Sequence, residues 1–274
     1  MTGAVLRAVL VVLLVVMPSM AMPGISDDAI QIVTLVAIFA AALVIFEYGS
    51  VYPGIVEFRA APPYNRIRYV TLLVIVFALT MVARHEIQPN DVSRVIVTAG
   101  VALADLLDFP YSPVRMAALM LPETAAPALA ERFRISAAIA YTVSISSLVV
   151  FAYFVQFRRW PLNAGPFNVW INLPTFDPTR GEDVVSRLTR DGRVYIALGV
   201  VVPFLVPAAV RAAAAVLGTV EVENPLTMIW VAAAWAFLPT SLLMRGIALS
   251  RIASLIAMRR RRAPQPVAGF QPAV

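Results

Sequence analysis

The chain has 274 residues, of which 60% are hydrophobic and 14% charged, and its mean hydropathy is +0.81. Soluble domains are about 45–50% apolar and about 25% charged, so this composition excludes an ordinary soluble globular protein. Every basic residue is Arg, the formal net charge is +6 and Cys is absent. The lack of Cys removes disulfides, thiolate metal centres, iron–sulfur clusters and a Cys nucleophile. A single His leaves no His-paired zinc site within one chain. With no soluble basic domain to carry nucleic acid, the Arg excess predicts cytoplasmic loops of a membrane protein.

The apolar residues gather into runs long enough for a helix to cross a hydrocarbon core about 30 Å thick. Residues 1–22 carry Arg7, a short apolar core and the small residues Ser19 and Ala21. They read either as a signal peptide cut after Ala21 or as an uncleaved first transmembrane helix. Residues 29–47 form an uncharged span that ends at Glu47, with Ser26, Asp27 and Asp28 as capping and dipole-matching residues at its start. Residues 48–68, rich in Pro, Gly, aromatics and Arg, are too broken to cross and are placed at the interface. Further spans are expected near 67–84, 135–157, 194–217 and 226–245.

Residues 92–107 are helical in pattern but short, and they carry Asp105. If they crossed, most Arg residues, including the 259–262 cluster, would fall outside; if they do not, most fall inside. The reading is therefore about six transmembrane helices with an external segment 85–134, in which 92–107 and 116–130 make a re-entrant or surface-lying helical hairpin. The largest cytoplasmic loop, 158–193, holds interfacial aromatics including Trp160 and Trp170. It also holds a short amphipathic helix, capped at Asp177 and stopped at Asp191-Gly192. Residues 246–262 form an amphipathic basic segment suited to anionic headgroups, and 263–274 form a Pro-rich disordered tail. The fold class is all-α, a polytopic helical membrane protein.

Chemistry-bearing residues are few. Arg211 falls inside a span, and Pro203, Pro207 and Arg211 are spaced four apart, on one helical face where each Pro frees a carbonyl one turn earlier. Such a face could bind an anion or gate a path; the plainer reading lets Arg211 snorkel to Glu221 or Glu223. Glu47 and Glu57 flank the first cytoplasmic loop, Glu47 where a span meets headgroups, and an interfacial carboxylate there is expected to pair with Arg59, Arg66 or Arg68. Asp105 and Asp108 share a helical face and, with Glu123, offer oxygen ligands without a fixed loop. His85 begins a fragment resembling a zincin HExxH, but Pro89 stands where the second His belongs. Small residues four apart, at Gly100 and Ala104, Ala214 and Gly218, and Gly246, Ser250 and Ser254, allow helices to approach closely.

No GxSxG elbow, P-loop or GxGxxG occurs, so no enzyme, cofactor or metal site is expected. The expected function is a non-enzymatic accessory, assembly or scaffolding subunit of a larger membrane complex, with membrane lipids and other membrane subunits as partners and no nucleic acid. The alternative is a small-solute or ion transporter or channel using the Pro203, Pro207, Arg211 face. An Arg-rich, Lys-free chain with a signal-like start suggests a bacterial inner membrane with both termini cytoplasmic, or with the N-terminus external if the first segment is cleaved.

Overall fold

The computed structural model describes residues 2–162, 167–177, 179, 181–217 and 224–262. Among these there are only helices and turns: α1 (Thr2–Ala21), α2 (Asp27–Gly49), α3 (Tyr64–Ile87), α4 (Asp91–Leu106), α5 (Pro113–Ala117), a 3₁₀ turn (Ala118–Met120), α6 (Pro127–Phe157), α7 (Val169–Asn172), α8 (Val184–Leu217) and α9 (Pro225–Arg262). Six of them, α1, α2, α3, α6, α8 and α9, are long and apolar enough to cross a membrane. The protein is an all-α polytopic helical membrane protein. α4, with 16 residues, is shorter than a span.

Local chemistry explains the helix ends. Ser26 caps α2 by accepting from the Ala29 N–H, and Asp27 and Asp28 follow in the first turn. α4 opens on a capping box in which Asn90 and Ser93 satisfy each other's backbone. Residues 116–130 do not form one helix, because Pro122 and Pro127 interrupt the run and α6 starts at Pro127, well before the expected 135.

α8 and α9 depart furthest from expectation. The short amphipathic helix and the span 194–217 are one helix, capped by Asp183, whose carboxylate accepts from Ser186 N–H, and not by Asp177. Asp191-Gly192 does not stop it. A Cβ on Gly192 would lie 2.6 Å from Ser250 Oγ, and one on Gly246 would lie 2.6 Å from the Gly192 carbonyl, so both glycines serve the close approach of α8 and α9. Residues 246–262 likewise continue α9, with Ile252 and Ala253 buried. At 1.5 Å per residue, α8 and α9 are about 51 and about 57 Å long, well beyond a hydrocarbon core of about 30 Å. Their paired ends therefore project past one face of the membrane. The tail 263–274 lies outside the described residues.

α1 packs beside α2 and α3, held by Tyr69 Oη donating to the Leu10 carbonyl and Arg84 donating to Ala21. One cluster of buried side chains joins α3, α4, α6 and α9 around Ile75, Leu79, Phe133 and Ile229. Gly100 of α4 faces Ile135 and Ile139 of α6 there, the packing use that small-residue spacing suggested.

The prolines of α8 are also accounted for. Pro207 has no N–H to give the Pro203 carbonyl one turn earlier; Trp235 of α9 supplies one instead, its indole Nε1 donating at 3.0 Å. Trp235→Phe is therefore expected to cost about 1–3 kcal/mol by leaving a buried carbonyl without a donor. In a Pro207→Ala background the restored N–H should remove most of that cost. Thermal unfolding of the four-member cycle in detergent measures it; equal losses in both backgrounds would refute the account.

Candidate functional site

At the end where α8 and α9 project, the loops following α2 and α6 are tied into one platform. Glu47, at the last turn of α2, is buried to 2% exposure, and its carboxylate accepts N–H bonds of 3.0–3.1 Å from Gly54, Ile55 and Val56. Arg59 secures the same loop through carbonyls, donating to Glu47, Ser50 and Val51. The expected Glu47–Arg pairing thus takes a different form: Arg59 reaches the Glu47 carbonyl, and the carboxylate is filled by backbone.

Asn172, equally buried, joins the two loops. Its carbonyl accepts from Phe58 N–H at 2.7 Å and its Oδ1 from Ala60 N–H at 3.0 Å. Trp160 is a core residue and not a lipid anchor. Its indole donates to Ala61, and its ring packs with Phe58, Tyr64 and Phe151 at centroid distances of 5.2–6.3 Å. Trp170 remains 53% exposed.

The platform encloses a recess of about 540 Å³ between these loops, the start of α8 and the second half of α9. On its deep wall Arg245 of α9 pairs with Glu57, donates to Tyr195 Oη, and lies over the Tyr195 ring at 4.0 Å. Thr175 also reaches Glu57. Burial pushes the Glu57 carboxyl above its ordinary value, opposed by the Arg245 charge. Opposite, Arg187 stacks 4.5 Å over Phe176 and donates to the Asp177 carbonyl. Arg190, Glu182 and Asp191 form the mouth, with Arg190 3.4 Å from Glu182. Beyond it, Arg260 of α9 pairs with Asp183 and holds that carboxyl below the usual range. Fixed charges of both signs with aromatic and hydroxyl walls suit a peptide or other polar group that both donates and accepts hydrogen bonds.

Of the candidate functional residues read from sequence, Glu57 lines this recess, paired with Arg245 and not with Arg59, Arg66 or Arg68; the others lie apart from it. Pro203 and Pro207 are buried, the Pro203 carbonyl accepting from Trp235 of α9, and Arg211 is exposed and paired with Glu123 of the segment between the 3₁₀ turn and α6. Snorkelling is the geometry seen, but toward Glu123; Glu221 and Glu223 lie outside the described residues. Asp105 and Asp108 are engaged by Arg134 at 3.0 Å and Arg115 at 3.8 Å. No group of three or more metal-ligating side chains converges among the described residues. His85 Nδ1 is 2.9 Å from Ser93 Oγ, beside the α4 capping box. Arg187, Tyr195 and Arg245 were not singled out from sequence. The available signal was an Arg interrupting the apolar pattern of α9, one position before Gly246.

Comparison with family models, curated proteins and solved structures yields no match to this chain. The class established is the one given by the helices themselves, a helical polytopic membrane protein.

Proposed function

We propose that this chain is a non-enzymatic accessory, assembly or scaffolding subunit of a larger membrane complex. We further place it in a bacterial inner membrane with the platform and the projecting α8–α9 pair in the cytoplasm. The observation that carries the reading is the preformed, mixed-charge recess of about 540 Å³ on a cross-braced platform, a docking feature displayed at one face. The transporter alternative has less support, because the carbonyl freed by Pro207 is taken by Trp235 and Arg211 is engaged by Glu123.

Native purification from its own membrane in mild detergent should yield the chain with a partner at fixed stoichiometry. Arg190→Glu, at the 63% exposed mouth residue, should release that partner at least tenfold more readily without altering the melting temperature. A bare, monodisperse chain recovered under the same conditions would overturn the proposal. Orientation has its own test, since the chain contains no Cys and single Cys variants label cleanly. An impermeant maleimide is expected to modify Gln88→Cys in intact spheroplasts, and Arg259→Cys only after permeabilisation. The opposite pattern would invert the topology.

A further inference from the structure

The mouth of the recess holds guanidinium groups whose hydrogen-bonding capacity is barely used. Arg187 and Arg190, three apart on the first turns of α8, share one face of the helix and both line the recess. The Arg187 side chain is 10% exposed and is fixed from two sides, lying 4.5 Å over the Phe176 ring and donating to the Asp177 carbonyl at 2.7 Å. That is its one hydrogen bond among the described residues; its Nε and Nη2 edge, the pair of parallel donors that fits a carboxylate, makes none. Arg190 makes no hydrogen bond among the described residues and meets carboxylates only at 3.4 Å from Glu182 and 3.7 Å from Asp191.

Glu182 is their shared counter-ion, and it is held loosely. It stands in the bend before α8 with its side chain 59% exposed, its Oε2 3.9 Å from Arg187 Nε and 3.4 Å from Arg190 Nη2, and it hydrogen-bonds to neither. An ion pair so exposed and so long contributes little. A buried guanidinium stripped of water gains far more from a carboxylate that seats on both of its parallel donors. Glu57 is not available for this, because Arg245 holds it on the deep wall. Leu173, Phe176 and Leu249 give the same recess apolar walls. Its charges balance, with Arg187, Arg190 and Arg245 against Glu57, Glu182 and Asp191, so one arriving carboxylate is accommodated by the outward swing of Glu182 and a polyanion is not.

Resting on the reading that the recess receives a partner subunit, we propose that it receives a single acidic side chain flanked by apolar residues, seated on the free edge of Arg187 and on Arg190. Glu182 is then an internal carboxylate that occupies this position until the partner displaces it. The aromatic face of Phe176 and the Asp177 carbonyl hold the Arg187 guanidinium ready for the exchange, so little ordering is needed when the acid arrives.

The peptide Gly-Leu-Glu-Leu-Gly, blocked at both ends, and its Gln counterpart test this by calorimetric titration of the full chain in mild detergent. The Glu peptide should bind about tenfold more tightly, the usual worth of a charged hydrogen bond. Arg187→Gln should abolish the preference, and Glu182→Gln should tighten binding of the Glu peptide severalfold, because the internal competitor is gone. If Arg187→Gln fails to accumulate, Arg190→Gln, at a side chain 63% exposed, carries the same comparison. Equal binding of the two peptides, binding of neither, or weaker binding in Glu182→Gln would overturn the proposal. Displacement of the Glu peptide by inorganic phosphate more readily than by acetate would overturn it in favour of a phosphate ligand. A partner co-purifying at fixed stoichiometry while both peptides bind equally would overturn the carboxylate and leave the subunit reading standing. Glu-selective binding by a chain that purifies bare would uphold the carboxylate and overturn the subunit reading.

Discussion

Replacing Arg245 with Met is expected to lower the stability of the folded chain by about 3–5 kcal/mol at neutral pH, the usual cost of leaving a buried charge without its partner. Glu57, whose side chain is 12% exposed, would lose the guanidinium that pairs with it. Burial already raises the Glu57 carboxyl above its ordinary value of 4.5, so the folded chain holds that proton more tightly than the unfolded chain does. The associated stability is full below 4.5 and is lost as pH climbs through the raised value. Without Arg245 the opposing charge is gone, so the loss should be largest in alkaline buffer and should shrink toward acid. Arg245→Met combined with Glu57→Gln should recover most of the stability, since no uncompensated carboxylate remains. Unfolding in detergent followed by Trp fluorescence across pH measures this. A loss that is flat with pH and unrelieved in the double variant would show that packing, and not charge, is what Arg245 contributes.

Glu47→Ala should have the second largest effect, about 3 kcal/mol. Three backbone N–H groups lose one shared acceptor, and each buried unpaired donor costs about 1–3 kcal/mol before water relieves part of it. The damage should stay local: amide exchange at Gly54, Ile55 and Val56 should accelerate strongly, while the amides of α6 keep their protection. Phe58 and Ala60 should follow in part, because their bonds to Asn172 depend on the course of the same loop. Glu47→Gln should lie between the two, since its amide keeps one oxygen acceptor and turns a donor toward the remaining N–H groups. Unchanged protection of the three amides in Glu47→Ala would refute this role for the carboxylate.

Much of the architecture is legible in the chain itself. The six long helices follow from runs of apolar residues, and the α2 cap follows from Ser26 standing before Asp27-Asp28. The 16-residue α4 is shorter than the roughly 20 residues a membrane span needs. The recess was not legible. Glu57 and Arg245 are separated by 188 positions, and no local pattern marks one as the partner of the other. Trp160 reads as an interfacial aromatic because its sequence neighbours are Arg159 and Pro161, yet it is 2% exposed in the aromatic cluster.

Gly192 shows where the boundary falls. Beside Asp191, a glycine carries the signal of a helix end, but the same missing side chain also admits another backbone, and only the crossing of α8 and α9 decides which use applies. Pro207 repeats the lesson: its sequence position determines that the Pro203 carbonyl loses a donor, and the tertiary structure alone decides that Trp235 replaces it. The sequence by itself determined the class, the number of long apolar helices and the α2 cap, because hydrophobic length and cap chemistry are properties of contiguous residues. The platform, its charged recess and the engagement of Arg211 by Glu123 were decided by tertiary structure, since each depends on which side chains the helix crossings bring within a few ångströms.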